Sequence, residues 1–105
     1  MVGISSYRFR LFVTGETGRS RQAADNLREL CEAHVAGFYQ LEVIDVLDHP
    51  ERAEEDRIIA TPTVIRLDPV PPKRVIGDLS DLELAAIALD LPDTQDGTKG
   101  AGDWT

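Results

Sequence analysis

Residues 7–47 read as a strand, a helix and a second strand in immediate succession. That order narrows the available folds more than any other feature of the chain. Tyr7, Phe9, Leu11 and Val13 alternate with Arg8, Arg10, Phe12 and Thr14. A period of two built from aromatic and branched residues predicts a strand. Gly15-Glu16-Thr17-Gly18 breaks the pattern, and Ser20 is placed to cap a helix. Ala23, Ala24, Leu27, Leu30, Cys31 and His34 or Val35 then recur at spacings of three and four, one apolar stripe of an amphipathic helix. Gly37 suits its stop. Tyr39 to Leu47 alternates at first and ends as an apolar run, so it predicts a second strand more buried at its far end. Two strands joined through a helix pair in parallel.

The second half uses shorter elements. Asp48 and Glu51 make a capping-box pattern, with Pro50 in the first turn, for a short charged helix from Pro50 to Arg57. Thr61-Pro62-Thr63 leads into a third strand, Val64 to Leu67. Prolines at 69, 71 and 72 forbid ladder donation in the turn that follows. Lys73 to Ile76 is then a fourth strand, antiparallel to the third because the connection is tight. Ser80 and Glu83 form a second capping-box pattern for a helix from Asp81 to about Leu91. That helix is apolar almost all round, so it buries two faces, or buries one and offers the other to a partner. From Pro92 onward the chain is polar and glycine-rich, a disordered tail whose one large apolar residue is Trp104. The domain reading is an N-terminal extension over 1–6, one domain over 7–91 and a tail over 92–105. The order β-α-β-α-β-β-α is that of an α/β, thioredoxin-like fold, in which Pro62 is expected to follow a cis peptide bond.

Charge and cysteine content exclude several functions. The 105 residues carry 11 Lys and Arg against 19 Asp and Glu, a formal charge of −8. Nucleic acids and anionic membranes are recognised by cations, so neither is an expected partner. No apolar run approaches the ~20 residues of a membrane span, and the first residues lack the basic and apolar regions of a signal peptide, so a cytoplasmic protein is expected. Thioredoxin chemistry needs a thiolate at the start of the first helix. Gly15 to Ser20 holds no cysteine, and the single Cys31 lies on the apolar stripe, where a small buried hydrophobe is expected. Gly15 and Gly18 do not match the phosphate-loop spacing, although Arg19 and Arg21 at a helix start are compatible with a weak anion site. His34 and His49 share no metal-ligand spacing, and Glu51, Glu54, Glu55 and Asp56 read as a solvated acidic face. The chain is therefore expected to have no catalytic residues, no cofactor and no metal.

A longer set of residues resembles a known family. It comprises Leu41 to Leu47, Pro50, Ala53-Glu54-Glu55-Asp56, Ile58, Ala60-Thr61-Pro62-Thr63, Pro69, Pro71-Pro72, Arg74, Ile76-Gly77-Asp78-Leu79-Ser80 and Leu89-Asp90-Leu91. These resemble the KaiB family of circadian clock proteins over residues 7–91, most specifically in the two stretches around Thr61 and Asp78. Leu11 to Thr17 matches less closely. The resemblance implies a non-enzymatic regulator that binds the ATPase KaiC, sequesters KaiA, and switches between a thioredoxin-like state and a rearranged homotetrameric ground state. It assigns partner contacts to Arg19, Arg21, Gln40, Glu42, Glu54 and Arg57, and the balance of folds to Pro62, Ala88 and Asp90. Gln40 and Glu42 stand where clock members carry Ala and Lys, and Gln22 where they carry Arg. These departures weigh against KaiA sequestration and leave a KaiC-like ATPase as the expected partner. On this reading Glu42→Lys alters partner affinity far more than folding. Ala88 replaces a family glycine and favours helix by ~1 kcal/mol, Pro92 removes a donor from any sheet extending there, and the second capping box adds about 1 kcal/mol. The thioredoxin-like monomer is thus the expected resting state, with the homotetramer as its competitor. The alternative function is a redox-inactive, thioredoxin-like small-molecule-binding or stress-response protein.

Overall fold

The strand Tyr7–Val13 (β1) has a neighbour on both sides, and every other element is placed relative to it. The computed structural model describes residues 6–94; residues 1–5 and 95–105, and with them most of the tail reading and Trp104, lie outside the described residues. The elements are β1, the helix Gly18–Val35 (α1), the strand Tyr39–Asp45 (β2), the helix Pro50–Glu55 (α2), the strands Thr63–Asp68 (β3) and Lys73–Ile76 (β4), and the helix Leu82–Ala88 (α3). The sheet order is β2-β1-β3-β4. β1 pairs in parallel with β2, Leu11 opposite Val43, and antiparallel with β3, Leu11 opposite Val64. β4 pairs antiparallel with β3. This is the α/β architecture that the element order predicts, and the Thr61–Pro62 bond is cis, as are Asp68–Pro69 and Val70–Pro71.

Alternation along β1 divides the core in two. Phe9, Leu11 and Val13 point to one face, where they pack with Ala23, Leu27, Leu30, Cys31 and Val35 of α1 and with Ala85, Ala86 and Leu89 at α3. Phe12 points to the other face, into a smaller buried group with Ile44 and Ile65. α1 and α3 thus share one side of the sheet, and α2 lies on the opposite side. Of the two readings of α3, the structure has the one-faced form: Ala85 and Ala86 are buried while Leu84 and Ile87 are 61% and 71% exposed.

Helix ends differ from the sequence reading at each N-terminus. Thr17, not Ser20, caps α1: its hydroxyl accepts the Ser20 amide at 3.1 Å. Ser20 is buried in the first turn. Asp48 makes no box with Glu51; the N-cap of α2 is His49, without a side-chain cap. For α3 the cap is Asp81, which accepts the Leu84 amide at 3.1 Å, while the Ser80 amide is already taken by Asp78 at 3.0 Å. An Asx turn at Asp78 therefore displaces the capping role by one residue. β2 is also shorter than expected. Asp45 accepts the Leu47 amide at 2.9 Å, turning the chain out of the sheet; the one buried residue of the strand, Ile44, lies toward its far end as expected, while Val43 beside it and Leu47 beyond it are exposed.

Two C-termini share one motif. After α2, the Ile58 amide donates to Ala53 and the Arg57 amide to Glu54. After α3, the Leu91 amide donates to Ala86 and the Asp90 amide to Ile87. Both are Schellman closures, which need a left-handed residue just past the cap. Arg57 and Asp90 occupy that position with φ of 56° each. α3 accordingly ends at Ala88 and not at Leu91. Arg66 of β3 is 3% exposed on the α1/α3 side, donating to the Pro71 carbonyl at 2.9 Å.

Leu27 is fully buried at the centre of the larger core. Leu27→Ala should therefore cost about 2–5 kcal/mol in chemical unfolding, against about 0.5 kcal/mol or less for Leu84→Ala. Asp90→Gly should relieve the left-handed backbone and raise stability by about 0.5–1 kcal/mol, read as an increased urea midpoint at constant slope.

Candidate functional site

The position equivalent to a thioredoxin active site is the turn between β1 and α1. Thr14 and Thr61 share a hydroxyl–hydroxyl hydrogen bond there, which brings the Thr61–Pro62 bond against the turn. The Gly15 amide donates to Asp45 at 3.0 Å. Hydrogen bonds from the Gly15 and Leu47 amides hold the Asp45 carboxyl below its usual range. No thiol lies in this turn. Cys31 is fully buried, and burial, with the neighbouring Glu32 charge, pushes its thiol up to about 12. A thiol of that kind supplies no thiolate at neutral pH. Among the described residues no group of three His, Cys, Asp or Glu is arranged to hold a metal ion.

The surface features that remain centre on β2, which is an edge strand. The Tyr7 amide donates to Phe38 and the Val46 amide to Val13. Parallel pairing alternates, so the even-numbered residues of β2 turn their backbone groups toward β1. Tyr39, Leu41 and Val43 present theirs outward. Exposed apolar side chains lie on this strand and just beyond its ends: Val43 within β2, Phe38 before it and Leu47 after it. A groove of about 480 Å³ runs between this edge and α1, with Ser20, Arg21, Ala24, Arg28, Val43 and Asp45 among its lining residues.

The opposite edge is built differently. β4 is four residues long, begins Lys73-Arg74 and follows two prolines. Short length, cations and proline are the devices that block edge-to-edge association. β2 is seven residues long with no lysine or proline.

The six residues assigned to partner contact do not form one patch. Gln40 and Glu42 lie on the α2 side of the sheet, because they share the phase of Ile44. Arg21 lies in the groove on the α1 side, 3.9 Å from Glu16. Arg19 points the other way, 4.0 Å from Asp78. Glu54 is exposed on α2, and Arg57 occupies the left-handed position after it. Five of them lie on or near β2 and α2, while Arg19 faces the segment after β4. Nothing in the residue pattern marks Phe38 or Leu47 for contact, whereas Val43 falls within the stretch Tyr39–Val43 expected at the partner face and is opposite in phase to Glu42.

Glu42 is already engaged. Its carboxylate accepts Arg10 Nε at 3.1 Å and Arg52 Nη2 at 3.2 Å. Partial burial alone would raise its pKa, but these two guanidinium hydrogen bonds outweigh it and hold the group below its ordinary 4.5. Arg10 reaches on to Asp56 at 2.9 Å.

The sequence profile of the KaiB domain matches residues 10–91. The chain belongs to the KaiB family. It is 48% identical over 91 residues to the circadian clock oscillator protein KaiB of Prochlorococcus marinus subsp. pastoris, covering 87% of this chain and 85% of that one. It is 50% identical over 86 residues to KaiB of P. marinus strain NATL2A, covering 82% and 80%. Among solved structures it resembles the N-terminal domain of Synechococcus elongatus SasA, with a TM-score of 0.67 and 25% identity over 79% of this chain and 80% of that domain. It also shares its fold with mitochondrial thioredoxin 3 from Saccharomyces cerevisiae, with a TM-score of 0.65 and 19% identity over 83% and 80%. As a member of the KaiB family it is a clock-related regulatory protein and not an enzyme. Within the described residues no helix is long and apolar enough to cross a membrane.

The KaiB resemblance alone made Glu42→Lys a probe of binding. With Glu42 paired, the same substitution also bears on folding, since a lysine would stand between Arg10 and Arg52. Glu42→Lys should lower folding stability by about 1 kcal/mol or more in urea titration at neutral pH. Because the folded-state pKa of Glu42 is depressed, its contribution is present above 4.5 and is lost as pH falls through the folded value. The gap between wild type and variant should therefore narrow as the pH is lowered below that range, without closing, because the repulsion of the introduced lysine by Arg10 and Arg52 does not titrate there.

Proposed function

We propose that this protein is a KaiB-type clock regulator of the cytoplasm that binds a KaiC-type ATPase along the outer edge of β2. The observation that carries the proposal is the contrast between the two sheet edges. A seven-residue edge with outward backbone groups and an exposed Val43, flanked by exposed Phe38 and Leu47, invites an added strand or an apolar contact. Family membership supplies the class of partner. KaiA is not included, because Gln40 and Glu42 depart from the family pattern and Glu42 is occupied by Arg10 and Arg52.

The resting form in this reading is the thioredoxin-like monomer, within a chain that retains the family's capacity to refold. Both ends of α3 are fastened, by the Asp81 cap and the Schellman closure at Asp90. Ala88 is the last helical residue, where its propensity counts toward the helix. The homotetramer competes through the exposed Leu84 and Ile87.

The test is capture of a purified KaiC-type ATPase with and without ATP, for the wild type and for Val43→Lys. Val43 is exposed, so the variant should unfold within about 0.5 kcal/mol of wild type. It should bind at least about tenfold more weakly, since a lysine on the edge blocks strand addition. Binding that is absent in the wild type, or identical in the variant, would refute the ATPase or the β2 edge respectively.

A further inference from the structure

We propose that the segment 50–60 is an electrostatically latched strap, which opens locally over Phe12, Ile44 and Ile65 when its arginine contacts are weakened. This inference concerns the fold alone and does not depend on the partner proposed above. Helices α1 and α3 are held by shared apolar burial, with five apolar α1 residues in the larger core. α2 has no buried residue. Its main apolar tie is Ile58, partly buried against the small group of Phe12, Ile44 and Ile65, while Ile59 next to it is 86% exposed.

Charge supplies the rest of the attachment, and it comes from three different strands. Arg10 of β1 reaches Asp56 at 2.9 Å. Glu42 of β2 receives Arg52 at 3.2 Å. From β4, Arg74 donates to the carbonyl oxygens of Asp56 at 2.7 Å and Arg57 at 3.1 Å. The Arg74 guanidinium thereby satisfies carbonyls at the C-terminus of α2, the end at which a cation is favourable. Three strands thus grip one short helix through groups that remain partly open to water. Contacts of that class are weakened by salt, whereas burial of apolar surface is not. The segment also has pivots at both ends. Asp45 accepts the Asp48 and His49 amides before it, and Thr63 holds the Ala60 carbonyl at 2.6 Å after it. A local opening between these pivots leaves β2 and β3 paired with β1.

Amide hydrogen exchange read by mass spectrometry on the full chain tests this. Moving from about 50 mM to about 1 M NaCl shortens the Debye length to ~3 Å. Peptides within 50–60 should then exchange about fivefold faster, while peptides from α1 and β3 keep their rates. Arg74→Gln and Glu42→Gln should each accelerate the same peptides at low salt and reduce the effect of added salt. The proposal is overturned if 50–60 keeps its rate in high salt, or if α1 and β3 accelerate with it. Should a variant fail to fold, the wild-type salt series decides by itself.

Discussion

Everything in this molecule is referred to the middle position of β1. A strand flanked on one side by a parallel neighbour and on the other by an antiparallel one satisfies its backbone groups without an exposed edge. Its side chains are then committed to two separate faces. Leu11 is wholly buried between α1 and the β2–β3 flanks, and Phe12, one residue on, is wholly buried on the opposite side. A one-residue slip of β1 would exchange these faces and place Arg10 in the larger core. The larger core, the charged α2 face and the exposed β2 edge all follow from that single register.

The two faces are stabilised by different physics. On the α1/α3 side, apolar side chains from β1, β3, α1 and α3 interlock, and even the cysteine serves only as volume. On the α2 side the buried group is small, and arginines at 10, 52 and 74 do what leucines do opposite. Apolar burial makes the first face resistant to salt and pH. Screening and protonation act on the second. The family's regulatory character is compatible with such an arrangement, because a fold with one firm face and one yielding face can change locally without unfolding.

Several local readings failed for a common reason. Ser20, Asp48 and Ser80 are good capping residues by type, yet Thr17 and Asp81 cap the first and third helices and no side chain caps the second. Thr17 lies one turn earlier, where the chain leaves the Thr14–Gly15 turn, and Asp78 engages the Ser80 amide before a cap can form. Residue type states what a side chain can accept. It does not state which amide the preceding turn has left free. Arg66 shows the same limit on a larger scale, since its burial depends on a carbonyl that the proline loop supplies at Pro71.

The sequence by itself determined the element order, the parallel pairing of the first two strands, the apolar stripe of α1 and the absence of a reactive thiol. It also carried the family resemblance, which the match over residues 10–91 bears out. These are local or pattern properties: periodicities of two and three to four, residue type at a position, and linear motifs. Tertiary structure alone decided which strand lies at the edge, that Glu42 is bound by Arg10 and Arg52 across gaps of 32 and 10 residues, and that Arg74 closes the end of α2 from 18 and 17 residues away. Those outcomes depend on which segments are brought within a few ångströms of one another. Charge–charge and donor–acceptor contacts have no period along the chain, so no spacing in the sequence announces them.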